Sequence, residues 1–177
     1  MPRVSYNTDA MTFPSPRSAG LVLVAAIVLS STGCSGTSVE AVAALEPVDV
    51  VTGWFDDGIV EGGKNKLVPS VSMKFRNKAA TPVASIQINA IFKRVGEKEM
   101  WGEYFGWAVP KQGLAPGAET NVMVMRSGLG YTGVQPRMQM LQNKEFVDAK
   151  VEIFLKQGSK VWAKLAEYPI QRQLITR

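Results

Sequence analysis

The chain of 177 residues contains no histidine and a single cysteine, Cys34. The missing imidazole excludes a Ser/His/Asp triad, a Cys/His nucleophile pair and a histidine zinc site. A lone cysteine forms no intrachain disulfide. Long hydrophobic runs are also scarce. The only one near the start is Leu21-Val-Leu-Val-Ala-Ala-Ile-Val-Leu29, about half of the roughly 20 residues that a spanning helix needs. Charge of one sign is not in excess: 20 Lys and Arg stand against 15 Asp and Glu. That small positive balance does not argue for nucleic-acid binding, and no nucleic-acid partner is expected.

What is present begins with the context of the apolar run. Arg3 and Arg17 precede it among polar residues, and Ser30-Ser31-Thr32-Gly33 leads from it to Cys34. A positive start, a short apolar core and small residues at the end describe an export signal. An isolated thiol is a hazard in an oxidising compartment unless covalent modification consumes it. Small residues leading into one cysteine resemble the lipobox of bacterial lipoproteins, with Thr32 and Gly33 in pattern and Ser31 where the family usually has leucine. The resemblance implies cleavage before Cys34, acylation of that cysteine and a membrane anchor. The expected location is the cell envelope, on the periplasmic face of the outer membrane if the cell is Gram-negative, because Ser35 is not the Asp of an inner-membrane retention signal.

Residues 1–33 carry Arg3, Arg17 and Asp9, so the part from Cys34 onward keeps 18 basic and 14 acidic residues in 144. A chain of that size supports one domain with a core of its own. The expected organisation is a signal peptide over 1–33, a lipidated cysteine and tether over 34–47, and a folded domain over 48–177. Within the tether, Val39 to Leu45 also suits a turn or two of helix.

From Val48 the sequence reads as strands. Val71, Met73 and Phe75 alternate with Ser72, Lys74 and Arg76; Ile86, Ile88, Ala90 and Phe92 alternate with Gln87, Asn89, Ile91 and Lys93. Such period-two patterns mark half-buried strands. Pro136 to Asn143 suits a short helix. A hairpin turning at Gln157-Gly158-Ser159 sets Leu155 opposite Val161, Ile153 opposite Ala163 and Val151 opposite Leu165 on one face, and Phe154 opposite Trp162 and Glu152 opposite Lys164 on the other. About seven strands with little helical periodicity predict an all-β, immunoglobulin-like antiparallel sandwich. The stretch Val71-Ser-Met-Lys-Phe-Arg-Asn77, then Thr81-Pro82-Val83, then Leu114-Ala-Pro-Gly117 resembles the small sandwich domains of bacterial envelope proteins of the FxLYD type, without a Tyr-Asp at Phe92-Lys93-Arg94-Val95. That resemblance implies an anchored accessory or binding module with no catalytic residues.

Four features bear on chemistry. Asp56-Asp57 is a carboxylate pair of the kind acid/base catalysis uses, but Asp-Asp-Gly is also ordinary turn chemistry. Met123, Met125, Met138 and Met140 are soft Cu(I) ligands or adaptable core residues. Trp101, Phe105 and Trp107 fall on one strand face, either as core or as a platform for glycan or peptide. Phe154 and Trp162, ringed by Lys150, Lys156, Lys160 and Lys164, form a surface for an envelope protein or an anionic glycan. The sequence therefore predicts no enzyme and no resident cofactor. It predicts a lipid-anchored interaction module, with a periplasmic Cu(I) or glycan binder as the alternative.

Overall fold

The computed structural model describes residues 37–175. In chain order the elements are α1 (Val39–Ala44), β1 (Leu45–Val60), β2 (Lys64–Asn77), β3 (Ile86–Arg94), β4 (Gly102–Val109), β5 (Met123–Arg126), β6 (Tyr131–Gly133), α2 (Arg137–Gln142), β7 (Ala149–Gln157), β8 (Ala163–Pro169) and β9 (Leu174–Ile175). They form two sheets. The first has the order β5-β2-β1-β9, with β6 also paired to β2; the second has the order β4-β3-β7-β8. Every pairing is antiparallel except that of β1 with β9. The chain is an all-β sandwich.

Alternation decides which face each strand buries. Val71, Met73 and Phe75 of β2 and Ile86, Ile88, Ala90 and Phe92 of β3 are removed from solvent, and Val151, Ile153 and Leu155 of β7 join them. Successive side chains on a strand point to opposite faces, so the polar residues between them are directed outward. Burial of each large apolar side chain contributes about 1.5–3 kcal/mol. One end of the core is aromatic: the Trp54 ring lies 4.5 Å from Phe146, 5.6 Å from Tyr131 and 6.1 Å from Trp101, between centroids.

The segment expected to be a tether is built into the fold from Thr37 onward. α1 buries Ala41 and Ala44, and β1 starts at Leu45 rather than Val48. Its attachment is specific. Ser38 N donates to Val161 O at 3.0 Å, Gln157 N donates to Ser38 Oγ at 3.0 Å, and Thr37 bridges Val161 in parallel. Small side chains let the helix lie close to β1, β7 and β8, which is why a stretch lacking bulky residues still folds. Cys34 and the apolar run before it lie outside the described residues.

That attachment also changes the expected hairpin. Leu155 pairs with Ala163 and Phe154 with Lys164, and after a bulge Ile153 pairs with Ala166. Val161 is engaged by Thr37 instead of Leu155. The turn is consequently longer than Gln157-Gly158-Ser159, and Phe154 and Trp162 are not a cross-strand pair.

The segments that carry the FxLYD resemblance meet in space. Asn77, fully buried, donates from Nδ2 to Thr81 O and Leu114 O, each at 2.9 Å, and accepts from Ala79 N at Oδ1 at 2.9 Å. Its main chain exchanges hydrogen bonds with Gly117 and Ala118, while Val83 and Leu114 exchange two more. Asn77 thus latches the loop after β2 to the turn that leads toward β5.

Candidate functional site

The outward face of the second sheet gathers most of the candidates. Register places Phe105 opposite Asn89 and Asn89 opposite Phe154; the next row runs Trp107, Gln87, Lys156. The hairpin turn returns Trp162 across this face to meet Phe105 edge-on, with centroids 6.0 Å apart. The Lys156 ammonium lies 5.8 Å from the Trp162 centroid. Phe105 is 56% exposed and Trp107 45%. Two groups read separately in the sequence therefore form one aromatic surface over the amides of Gln87 and Asn89. Strand pairing across β3 brought them together, which local pattern does not reveal.

Trp101 does not belong to it. It precedes β4, donates from its backbone N to Phe92 O at 2.8 Å, and turns its ring inward to Tyr131 at 4.9 Å, with the Arg94 guanidinium 5.6 Å away. Alternation fixes a face only within a strand, and a half-built aromatic cavity lay on the inner side. The core reading of Phe105 and Trp107 is also corrected. Inward on β4 stand Gly102, Tyr104 and Gly106: a Cβ at Gly102 would collide with Ser127, and the Tyr104 ring already covers Gly106.

The lysines around this surface are mostly neutralised. Glu152 accepts from Lys93 at 2.6 Å and Lys164 at 2.9 Å; Glu167 accepts from Lys164 at 2.7 Å and Lys150 at 3.0 Å. Lys160 pairs with Glu40. The expected ring of free cations is in fact a ladder of ion pairs beside an apolar patch, with Lys156 in no ion pair among the described residues. Lys164 and then Lys150 lower the Glu167 carboxyl from its ordinary 4.5 to about 2. Lys93 and then Lys164 hold Glu152 below its ordinary range, and Arg137 does so for Asp56. A carboxylate with a depressed folded value contributes stability above the unfolded value and loses it as pH falls. Melting temperature should therefore decline as pH drops from about 4.5 toward 2. With no histidine it should stay flat between about pH 8 and 6, where imidazole would titrate. A thermal melt series across that range checks both halves.

The carboxylate pair has separate partners. Asp56 takes Arg137 and the Gly58 N–H, at 3.0 Å, while Asp57 takes Lys66 at 2.8 Å. The two carboxylates are engaged by different cations, Asp56 by Arg137 and Asp57 by Lys66, and so are not arranged as an acid/base dyad. The methionines divide similarly. Met125 is fully buried opposite Val71, Met123 packs against the core opposite Met73, Met140 is buried under α2, and Met138 stands exposed on α2. Three of them serve as packing. Among the described residues no three His, Cys, Asp or Glu cluster as a metal site, and no helix is long and apolar enough to cross a membrane.

No family model and no curated protein matches the chain. Among solved structures, a putative ApaA protein from Bordetella pertussis is similar over 71% of this chain and 91% of its own, at 16% identity and a TM-score of 0.36.

Proposed function

We propose that this chain is a non-enzymatic, lipid-anchored protein of the cell envelope that docks a partner protein through the outer face of its second sheet. The observation that carries this reading is the convergence of exposed Phe105 and Trp107 with half-buried Phe154 and Trp162 on one outer surface. Exposed aromatic clusters with a polar rim are characteristic of interaction sites. Neutralisation of Lys150, Lys160 and Lys164 favours a protein over an anionic glycan.

The anchor follows from the lipobox-like Ser30-Ser31-Thr32-Gly33-Cys34. Three residue steps separate Cys34 from Thr37, a reach of about 10 Å when extended. Because Thr37 is bonded at the β7–β8 turn, acylation at Cys34 would hold that end of the sandwich, with Trp162, close to the bilayer. Several acyl chains secure a protein where one does not. Palmitate labelling tests this: Cys34→Ala should abolish the label and leave the product uncleaved or soluble. A cleaved, unlabelled product still held in the membrane would contradict the anchor. A photo-cross-linking residue at Trp107 should capture a defined envelope protein, and one at the exposed Val134 should not.

Glycan binding is the second reading, favoured by Phe105 and Trp107 lying beside the Gln87 and Asn89 amides. Co-sedimentation with peptidoglycan, lost on replacing Trp107, would support it over the protein partner.

A further inference from the structure

The second sheet has two edges, and they differ. β8 carries Lys164 near its start and Pro169 at its end, residues that discourage further strand pairing. β4 carries neither over its 8 residues, and no strand lies beyond it in the sheet. The edges of the first sheet are broken up: β5 has four residues and β9 two, β9 covers only Trp54 and Phe55 of β1, and the rest of β1's outer edge carries Pro47 and register shifts after Val48 and Asp56. β4 is regular from Gly102 to Trp107, ahead of a bulge at Ala108, and over that run it carries no lysine, proline or covering strand.

Beneath that edge the sandwich is open. At Gly102 the two sheets close on each other through Ser127, but from Tyr104 to Val109 they part around a cleft of about 560 Å³. Tyr104, Leu114 and Met123 belong to its apolar side, and Glu119, Thr120 and Asn121 to its polar side. That volume lies within the roughly 300–1,000 Å³ of pockets that hold ligands. A strand added to β4 would satisfy the outward backbone groups of alternate β4 residues and direct every second side chain into this cleft.

A second copy of β4 would fill the cleft poorly. Its inward positions over Gly102–Gly106 are two glycines and Tyr104, which already folds over Gly106, while Ala108 and Val109, at and after the bulge, are buried in the core of their own copy. A heterologous strand with apolar residues at alternate positions fills it. The ends of the edge set its polarity. Glu103, exposed, touches only the Asn89 amide at 3.3 Å and forms no ion pair among the described residues, while Lys111, exposed and likewise unpaired there, follows the other end. An antiparallel strand that is acidic near its N-terminus and basic near its C-terminus complements both.

We infer that β4 accepts an extended peptide segment of a partner protein by antiparallel strand addition, with its alternate apolar side chains entering the cleft between the sheets. This site uses backbone groups and inward residues; it meets the outer aromatic face at Trp107, which also lines the cleft, and differs from that face in the groups it engages.

The probe is the peptide Thr-Glu-Val-Thr-Leu-Thr-Val-Lys-Thr, whose charged residues share the outward parity of Glu103 while Val, Leu and Val take the inward one, titrated into the isotopically labelled full chain. The expected result is slowed amide exchange at alternate residues of Gly102–Val109 and shifted signals at Val122 to Val124, with β8 unchanged. Two N-methylated versions of the peptide sharpen the test. Methylation on one parity of residues should weaken binding at least tenfold, and on the other should be tolerated, because only one set of amides faces β4. Equal effects of both parities, no change in β4 exchange, or shifts confined to Phe154 and Trp162 would overturn the proposal. Protection of the same amides by concentration-dependent self-association without peptide would overturn it in favour of a second copy.

Discussion

Asn77→Ala should destabilise the fold by about 2–4 kcal/mol. The side chain satisfies one backbone N–H and two carbonyls in the loops on either side of it, all at 2.9 Å, from a fully buried position. Truncation leaves the Ala79 N–H and the Thr81 carbonyl without this partner in a partly buried loop, while Leu114 O keeps the bond from Val83 N, and it empties the fully buried space that the side chain fills. Asn77→Asp should be no milder, because it keeps the acceptor for Ala79 N but sets a carboxylate against the Thr81 and Leu114 carbonyls. Urea unfolding should show a lower midpoint with an unchanged slope. A cost under about 0.5 kcal/mol, the ordinary range of a surface substitution, would mean that the latch does not hold these loops.

Trp54→Ala should cost about 3–5 kcal/mol, the range for removing a large aromatic from a core. Its ring is fully buried and touches Phe146, Tyr131 and Trp101, so one truncation removes the centre of the aromatic cluster. Trp54→Phe should cost much less. The Trp54 Nε1 hydrogen is buried with no hydrogen-bond partner, so phenylalanine gives up packing area but also removes an unsatisfied donor. Near-ultraviolet circular dichroism and thermal melting of the two variants measure the contrast. Equal losses would place the Trp54 contribution outside this ring cluster.

The strands of this sandwich were legible where one face is uniformly apolar. Burial alternates along β3 and β7 as the sequence pattern selects, with Ile91 and Phe154 the apolar residues left on the outer side. The short helix at Arg137–Gln142 was legible too, from Pro136 before it and Asn143 after it. The β4 strand was ambiguous because both of its faces are plausible. Large aromatics suggest a core, yet the glycines opposite them are what permit close approach by Ser127 and Tyr104. The β7–β8 register was hidden because Val161 is used by Thr37, more than a hundred residues earlier in the chain. The α1 helix was masked by its small residues, which suit a linker and a close-packed helix equally.

The candidate surface shows the same limit. Phe105 with Trp107, and Phe154 with Trp162, each stood out in the sequence, but their union depends on β3 lying between β4 and β7. The lysines stood out as well, and Glu152 stood out as the neighbour of Lys164, a pair that the structure forms at 2.9 Å; Glu167 and Lys93 did not. Glu167 neutralises Lys150 and Lys164 through strand pairing and a bulge that no local pattern encodes. The latch residue Asn77 was visible by resemblance alone, since its partners lie 4 and 37 positions away.

Exposure of this aromatic surface makes it separable from the fold. Lys156 and Phe105 meet Trp162 on the outer face of the sheet, and neither Phe154 nor Trp162 is part of the buried core. The most direct measurement is recovery of envelope partners by the anchored chain, comparing the native sequence with the double substitution Phe154→Ser and Trp162→Ser. The account predicts that the double variant keeps its cooperative unfolding transition and loses its partners; undiminished recovery by a folded double variant would contradict it.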